Sequence, residues 1–476
     1  MSQQPLHRRE RLYVDGEWHD ADEVLEVSDL ADGGVFAEVA AADAEMADRA
    51  LAAAKRAEDA MRETTIPQRA EWMEQIADVL LERKDEIAEV IVREAGKPIS
   101  SAWGGVDSAA ERFRRAAEEA RTLQGEYREG TTRGHEGWEA IVKPEPMGTV
   151  LCITPYNYPL STTALEVAPA LAAGNAVILK PASKTPVSAA ILADVVSELD
   201  LPDGAFNFVP GRGSTIGDLL VGDGRVNTIT MTGSSAAGKH VARKSGMVNL
   251  HMELGGNAPA VVFPDADLSE VAGACTKGSL KYAGQRCSAV SRVIAHEEVH
   301  DEVVDRIEAD MEGWVVGDLF EEETQMGPLI SEDQAEWVEE LVEDAIDRGA
   351  DLVRGGERDG QFFEPTLLAN VPQDARIVHE EQFGPVAAVT TFESEEEAIE
   401  VSNRGDLALD AAVFTADYDR ARRMADELDA GAVRINGAPS HGLGDIPFGG
   451  NKASGIGRQG LHLTIEEMVR QKSIIL

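Results

Sequence analysis

Cysteine is scarce in this chain of 476 residues, and the scarcity limits both its chemistry and its compartment. The three cysteines, Cys152, Cys275 and Cys287, are too few and odd in number for a disulfide framework. The N-terminus is polar and charged and lacks the apolar core of an export signal. The sequence therefore predicts a protein of the reducing cytoplasm.

Basic residues are also scarce. Lysine and arginine number 44 against 86 acidic residues, only 12 of the 44 are lysines, and the formal net charge is -42. Such charge repels the phosphates of nucleic acids and anionic membranes, so we expect neither as a partner. Because salt screens the self-repulsion of an acidic surface, the composition predicts a halophilic protein that works in a high-salt cytoplasm.

Long apolar runs are missing as well. No stretch approaches the roughly 20 apolar residues that a membrane-spanning helix requires. With 43% hydrophobic residues the chain can still form large cores, and its length favours two large domains. We find no internal repeat and expect no bound metal.

Strand and helix patterns alternate along most of the chain. Apolar runs of strand length lie at 150–153, 176–179, 206–209, 227–231, 260–263, 290–295, 386–391 and 411–414. Helical patterns lie at 160–173, 185–198, 214–220, 234–246, 267–280, 298–312, 332–348 and 418–429, and before them at 44–62, 67–95 and up to about 123. A hairpin is expected around Asp15-Gly16. Alternation of this kind predicts parallel sheets with right-handed crossovers, and hence an α/β fold.

Three turns follow strands of the first series and contain residues suited to a dinucleotide. They are Thr232-Gly233-Ser234, Lys180-Pro181-Ala182-Ser183, and Pro210-Gly211-Arg212-Gly213-Ser214. The carboxyl ends of parallel strands meet at one edge, where backbone N–H groups at a helix start can bind a pyrophosphate. Glycine-rich turns also occur for purely geometric reasons, but three turns at one edge favour a ligand.

A candidate nucleophile and a candidate base lie further along. Cys287 ends the motif Gly284-Gln285-Arg286-Cys287, and Glu253 lies in Met252-Glu253-Leu254-Gly255-Gly256. A thiolate can attack an aldehyde, and a carboxylate can activate water to hydrolyse the thioester formed by oxidation. Alternatively, the cysteine is a small buried hydrophobe and the glutamate is a cap or an ion-pair partner. Asn157, between two prolines, is either a rigid oxyanion donor or a turn former.

The region from 125 to 146 loses the helical period and contains short extended pieces, and the chain ends in Ser473-Ile474-Ile475-Leu476. An apolar end is costly to expose, so we expect the tail to pair with the arm of a neighbouring subunit in a homodimer or homotetramer. The predicted fold is thus a Rossmann-like dinucleotide-binding domain at 1–124 and 144–253, an α/β catalytic domain at 254–445, and a small β-arm for oligomerisation at 125–143 and 460–476.

Seven motifs give the chain an end-to-end resemblance to the aldehyde dehydrogenase superfamily. They occur in the family's order and spacing and are Tyr156-Asn157-Tyr158-Pro159, Lys180-Pro181-Ala182-Ser183, Thr232-Gly233-Ser234, Glu253-Leu254-Gly255-Gly256, Gly284-Gln285-Arg286-Cys287, Glu380-Glu381-Gln382-Phe383-Gly384-Pro385 and Pro447-Phe448-Gly449-Gly450. The resemblance implies that Cys287 is the nucleophile, Glu253 the hydrolytic base and Asn157 the oxyanion donor. It also implies cofactor contacts from Thr154, Lys180, Ser183, Gly213, Thr232, Gly233, Ser234, Leu254, Glu381 and Phe383.

Members that prefer NAD commonly have a glutamate three residues after the lysine of the second motif, where this chain has Ser183. With Lys180, Lys184 and Arg212 nearby, the position favours a 2′-phosphate. The resemblance therefore implies NADP as the preferred cofactor, with NAD also possible.

The segments 282–290, 211–214 and 455–458 resemble the branch of non-phosphorylating glyceraldehyde-3-phosphate dehydrogenases and their lactaldehyde and glyceraldehyde relatives. Arg286 could grip the anionic end of a small aldehyde, or it could pair with a local carboxylate. Ser108 and His441 stand where other members of the branch have phosphate-binding arginines, and His441 is a second candidate substrate residue.

Three other functions are compatible with parts of the sequence. A succinic or other dicarboxylic semialdehyde is an alternative substrate for the same mechanism. A CoA-acylating dehydrogenase usually lacks the base, so Glu253 argues for hydrolysis. A catalytically silent structural protein is disfavoured because Cys287, Glu253 and Asn157 are all present.

Overall fold

Two sheets of mostly parallel strands organise the chain in a computed structural model, which describes residues 8–440 and 446–476. The strands are β1 Arg8–Glu10, β2 Leu12–Val14, β3 Glu17–His19, β4 Val24–Ser28, β5 Val35–Ala40, β6 Glu126–Glu129, β7 Glu139–Pro146, β8 Thr149–Ile153, β9 Ala176–Lys180, β10 Phe206–Phe208, β11 Thr228–Thr232, β12 Asn249–Glu253, β13 Ala258–Val262, β14 Val290–His296, β15 Asp351–Arg354, β16 Arg358–Asp359, β17 Phe362–Phe363, β18 Thr366–Ala369, β19 Val386–Phe392, β20 Leu407–Ala408, β21 Asp410–Phe414, β22 Ala432–Ile435, β23 Asn451–Lys452, β24 Gly455–Ile456 and β25 Val469–Ile475.

Helices cover both faces of these sheets. They are α1 Ala44–Glu63, α2 Ile66–Glu82, α3 Lys84–Ala95, α4 Ile99–Ala120, α5 Ser161–Ala172, α6 Val187–Ser197, α7 Asp218–Gly222, α8 Ser235–Lys244, α9 Leu268–Leu280, α10 His300–Glu312, α11 Glu332–Asp347, α12 Arg376–His379, α13 Glu395–Asn403, α14 Tyr418–Glu427 and α15 Leu461–Glu467, with a π-helical turn at Gly213–Gly217 before α7.

The first sheet has the strand order β24-β12-β11-β8-β9-β10-β2-β3. Its central strands, β12 to β10 in that order, are parallel, and the outer strands β2 and β24 are antiparallel to their neighbours. Strands β8 and β9 are buried almost throughout because helices cover both faces, which explains why they read as continuous apolar runs.

The second sheet has the order β15-β18-β19-β14-β13-β21-β22, and its strands are parallel except for β15 at one edge. Strands β13 and β21 are fully buried, as expected for the centre of a parallel sheet. The expected α/β fold class is therefore confirmed, with two parallel sheets and a separate arm.

The helix expected over 67–95 is wrong in one respect, because it breaks at Arg83. That residue has φ -96° and ψ 17°, outside the helical range, and separates α2 from α3. Its guanidinium binds Asp194 at 2.7 Å and Glu86 at 2.9 Å. Helix α3 begins directly after the break, and its residues Ile87 and Ile91 are buried. A periodic pattern cannot show such a break, since both helices have the same repeat.

The tail pairs with the arm of its own chain, so the expectation that it pairs with a neighbouring subunit's arm is wrong. Strand β25 is antiparallel to β7, with Ile474 opposite Ile141, and β6 completes the three-stranded sheet. The arm differs from the expected one because α15, at its start, buries Leu461 and Ile465 in the core of the first sheet. No helix within the described residues has the length and apolar character to cross a bilayer.

Candidate active site

A cavity of about 530 Å³ brings the candidate nucleophile and base together. Thr232 and Glu253 reach it from the carboxyl ends of the neighbouring strands β11 and β12, where they are direct partners. Cys287 reaches it from the loop that precedes β14. The cavity thus lies at the edge of the first sheet where ligands bind in parallel α/β folds.

The loop that carries Cys287 is held by an unusual backbone. Tyr282 and Ala283 adopt φ values of 58° and 49°, and Gly284 follows at 68°. A Cβ on Gly284 would overlap the carbonyl oxygen of Gly384, so the motif requires glycine there. The buried Gln285 side chain accepts a hydrogen bond from the Ile330 N–H at 2.9 Å. Non-glycine residues with positive φ cost about 1–3 kcal/mol each, and such strain is often found at functional sites.

The surroundings of Cys287 disfavour a thiolate. Burial raises the pKa of the thiol well above its ordinary value, and the nearby carboxyl groups of Asp410, Glu253 and Glu381 raise it further. Arg286 opposes the shift. The thiol is therefore protonated at neutral pH in this state, and attack on a carbonyl requires transfer of its proton.

Glu253 is buried to 2% exposure, and neither of its carboxylate oxygens has a hydrogen-bond partner within the described residues. Burial raises the pKa of this carboxyl well above its ordinary value, the charge of Asp410 adds to the shift, and Arg458 opposes it. Gly449 faces it so closely that a Cβ there would lie 2.6 Å from Oε1. A carboxyl group in this setting can take a proton from water near neutral pH.

Asn157 is 6% exposed and donates a hydrogen bond from Nδ2 to the carbonyl oxygen of Gln285 at 2.9 Å. The contact ties the asparagine to the loop that carries Cys287, two residues before that cysteine. The second N–H of the same amide makes no other hydrogen bond in the described parts of the chain, which leaves it free to donate to a substrate oxygen. Cys287, Glu253 and Asn157 are called the reactive trio below.

The turn after β11 caps helix α8. The Ser234 side chain accepts a hydrogen bond from the Ala237 N–H, and the Gly233 N–H donates to the Glu253 carbonyl at 3.0 Å. Leu254 packs against the start of the same helix, where a Cβ on Gly238 would overlap its side chain. The helix start therefore lies next to Glu253, and its backbone N–H groups are suited to bind a dinucleotide phosphate.

Lys180 ends strand β9 at 7% exposure, and burial lowers the pKa of its ammonium group to about 8. Its hydrogen bond goes to the carbonyl of the next residue, and no carboxylate pairs with it in the ranges 8–440 and 446–476. The buried Thr154 donates its N–H to the Lys180 carbonyl, and Ser183 donates its hydroxyl to the Gly211 carbonyl. Gly213 is exposed on the turn that follows. A buried cation without a counter-ion fits a phosphate-bearing dinucleotide.

Glu381 joins the same region from the second half of the chain. Its Oε1 accepts a hydrogen bond from the Gly256 N–H at 2.9 Å, and burial raises the pKa of its carboxyl to about 7. Phe383, with φ 49°, packs edge-on against Tyr156 with ring centroids 6.0 Å apart. The structure therefore brings Glu381 next to the Glu253-Leu254-Gly255-Gly256 motif, although the two lie more than 120 residues apart in sequence.

Arg286 lines the cavity and donates a hydrogen bond from Nη2 to the Gly278 carbonyl at 2.6 Å. Its charge also acts on the buried carboxyl of Asp410, where it opposes the rise in pKa that burial causes. Ser108 also lines the cavity and donates its hydroxyl to the Gly104 carbonyl. His441, the other candidate substrate residue, lies outside the described residues.

Three further cations line the cavity that sequence reasoning did not single out, namely Lys97, Arg112 and Lys281. With Arg286 they form what we call the cationic wall. Ser101, Ser108 and Arg112 recur along α4 at helical spacing, so one face of this helix contributes to the cavity. The sequence signal was weak, because each cation lies in or beside a helix without a recognisable motif. Within the described ranges no group of three His, Cys, Asp or Glu residues could hold a metal ion.

Comparison with known proteins agrees with this geometry. The model of the aldehyde dehydrogenase family matches residues 18–474. An NADP-dependent glyceraldehyde-3-phosphate dehydrogenase of Streptococcus equinus is 39% identical over 472 residues, which cover 99% of each chain. A 3-sulfolactaldehyde dehydrogenase of Priestia aryabhattai is 37% identical over 98% of this chain and 97% of its own.

A solved structure is also similar over almost its whole length. The crystal structure of an NADP-dependent glyceraldehyde-3-phosphate dehydrogenase from Bacillus halodurans C-125, complexed with NADP, gives a TM-score of 0.96 at 36% identity and covers 98% of this chain and 99% of that chain. The resemblance seen in the motifs is confirmed. The chain belongs to the aldehyde dehydrogenase family and is an oxidoreductase that acts on aldehydes.

Proposed function

We propose that this enzyme oxidises a small polar or anionic aldehyde to the carboxylic acid, with NADP as the preferred cofactor and NAD as a possible one. One observation carries the proposal, namely that Cys287 and the unpaired Glu253 share a cavity with four cationic side chains. Glyceraldehyde 3-phosphate, glyceraldehyde and lactaldehyde are the first substrates to test, followed by succinic semialdehyde. The two relatives described above are named for glyceraldehyde 3-phosphate and 3-sulfolactaldehyde, which carry a phosphate ester and a sulfonate. Both names support an anionic substrate.

The proposed chemistry begins at Cys287. Its sulfur attacks the aldehyde carbon as the thiol proton passes to solvent water, and the Asn157 amide and the Cys287 N–H bind the oxyanion of the thiohemiacetal. NADP, when bound by the turns described above, would supply the hydride acceptor that oxidation of this carbon needs. Glu253 then removes a proton from water, and the water oxygen attacks the thioester, which releases the acid and restores the thiol.

The cofactor preference rests on the end of β9. Lys180 is buried without a carboxylate partner, Ser183 adds no negative charge, and Arg212 is exposed nearby on the next turn. A 2′-phosphate would supply the missing counter-charge, whereas the ribose diol of NAD would not. Thr232, Gly233 and Ser234 would hold the pyrophosphate, and Glu381 would bind the nicotinamide ribose.

The arm supports a homodimer or homotetramer. Strand β25 is an edge strand, and the arm exposes large apolar side chains, among them Tyr127, Ile141 and Ile475. An exposed apolar edge is a natural contact for a second copy of the chain. We also propose the expected division into a cofactor-binding domain, a catalytic domain and this arm. Light scattering that gives a monomer mass would contradict the oligomer.

The acidic composition supports a halophilic, cytoplasmic enzyme. Most of its charge is negative, and screening of that charge by salt should stabilise the fold. The free energy of unfolding is therefore expected to rise from low to molar potassium chloride. Greatest stability at low salt would contradict a halophilic protein.

The function is tested by steady-state kinetics of the purified enzyme in high salt. Each aldehyde named above is assayed with NADP and with NAD, in the presence and absence of CoA. We expect formation of the acid without CoA and a higher kcat/KM with NADP. A requirement for CoA would instead indicate an acylating dehydrogenase, and a higher kcat/KM with NAD would overturn the cofactor preference.

A further inference from the structure

We propose that Lys97 and Arg112 form a binding site for a terminal anion on the aldehyde, either a carboxylate, a sulfonate or a phosphate. The inference rests on the proposed function and narrows its substrate to anionic aldehydes. It adds two residues that belong to none of the seven motifs.

Lys97 is a buried cation without a counter-ion. It lies on the short turn between Gly96, where α3 ends in a left-handed conformation, and Pro98, which precedes α4. Its side chain is only 3% exposed, and it forms neither a hydrogen bond nor an ion pair in the described parts of the chain. Buried ammonium groups are normally paired, because removal from water is costly.

Aromatic rings hold this ammonium in place without neutralising it. Lys97 Nζ lies 3.4 Å from the ring centroid of Tyr158 and 4.4 Å from that of Tyr282. The Tyr282 hydroxyl is itself fixed, since it donates to the Ala95 carbonyl at 2.7 Å. The cation–π contacts orient Lys97 at the cavity surface and leave its positive charge for a ligand.

Arg112 is the second member of the site. It lies one helical turn after Ser108 on the cavity face of α4, and one of its terminal nitrogens donates to the Ser161 carbonyl. Its Nε is buried and has no partner among the described residues. An unpaired guanidinium N–H at the wall of a cavity is a good donor to an oxyanion.

The charge of the cavity is opposite to that of the whole molecule. Four cations line it, Lys97, Arg112, Lys281 and Arg286, and among the described lining residues Glu253 is the sole carboxyl group. The complete chain has about two acidic residues for every basic one. A cationic cavity in so acidic a protein is therefore a local feature, which a substrate anion would neutralise.

Mutual repulsion among these cations supports the same conclusion. Burial lowers the pKa of the Lys97 ammonium well below its ordinary value, and the charges of Lys281, Arg286 and Arg112 lower it further. Burial also lowers the pKa of Arg112 to about 10. An anion bound between them would relieve the repulsion and favour the charged form of Lys97.

The test compares two aldehydes of the same length, anionic succinic semialdehyde and neutral butanal. Loss of a charge-assisted hydrogen bond should lower kcat/KM for succinic semialdehyde about 10- to 100-fold in Lys97→Met and in Arg112→Met, mainly through KM. Oxidation of butanal should change less than about threefold. Arg112→Lys keeps the charge and should recover part of the loss. Lys277→Met, which removes an exposed lysine of α9 outside the cavity, is the matched control and should leave both activities unchanged.

Equal losses for both aldehydes would overturn the anion site and indicate a structural role for the two residues. If the variants do not fold, inhibition of the wild-type enzyme tests the anion site instead. Succinate and methanesulfonate should inhibit butanal oxidation more strongly than neutral butyramide does. Inhibition no stronger than that by butyramide would also overturn it. If the wild-type enzyme oxidises butanal as fast as succinic semialdehyde, sulfoacetaldehyde or glyceraldehyde 3-phosphate, the anion site is contradicted and the proposed function stands. If it oxidises no aldehyde, the proposed function is contradicted.

Discussion

The reactive trio and the cationic wall face one cavity but are built in different ways. Each member of the trio lies in a short motif whose sequence neighbours fix its position, as Gly284 and Gln285 do for Cys287. Three members of the wall come from a helix junction, a helix face and the end of another helix, and only Arg286 shares a motif with the trio. If the proposed roles hold, the chemistry of this site is encoded in local motifs, whereas its substrate preference depends mostly on segments that only the fold brings together.

The comparison predicts that changes in the trio affect all aldehydes alike. Cys287→Ala should abolish oxidation of both succinic semialdehyde and butanal, because no other sulfur of the described residues lines the cavity. Reduction of NADP followed by absorbance measures the loss. Cys275→Ala, in the core of the second sheet, is the matched control and should remain active. Turnover of Cys287→Ala close to that of the wild type would show that Cys287 is not required for the oxidation of either aldehyde.

The pH dependence of kcat should distinguish the trio from the cationic wall. As the proposed base, Glu253 would act only without its proton, and burial raises the pKa of this carboxyl, so the acid limb of the rate profile should move to higher pH. Below that pKa, kcat should fall about tenfold for each pH unit, whichever aldehyde is used. The measurement is kcat against pH with saturating succinic semialdehyde and with butanal. An acid limb seen with one aldehyde only would assign the titration to substrate binding and not to Glu253.

The smallest predicted change concerns the cofactor end. Ser183→Glu places a carboxylate near the proposed 2′-phosphate position and should lower kcat/KM for NADP about tenfold while NAD becomes the better cofactor. Ser183→Ala, which adds no charge, should leave the preference for NADP in place. Assays with the two cofactors at a fixed aldehyde concentration check this. Unchanged preference in Ser183→Glu would show that the end of β9 does not select the cofactor.

Much of the fold could be predicted from the sequence, because strands buried on both faces read as apolar runs and most helices have a clear period. The break at Arg83 could not, since the apolar repeat continues across it. Nor could the pairing of the tail, because an apolar end predicts a partner strand without telling which chain provides it. In the structure, strand β25 pairs with β7 of the same chain.

The residues proposed for the site differ in how clearly the sequence indicates them. The trio was visible because each of its members lies in a motif with a chemical reason for every residue. Lys97 was not, because a lysine between glycine and proline at a helix boundary looks like an ordinary surface cation. Only its burial against Tyr158 and Tyr282 sets it apart, and burial is a property of the folded chain.

If Cys287 forms a thioester that Glu253 hydrolyses, as proposed, the thioester should accumulate when the carboxylate of Glu253 is removed. Glu253→Gln is mixed with NADP and succinic semialdehyde, and the mass of the intact protein is measured together with the first turnover of NADPH. We predict one burst of NADPH per active site and a mass increase of one acyl group on Cys287. A steady state at the wild-type rate without any acyl adduct would contradict this proposal.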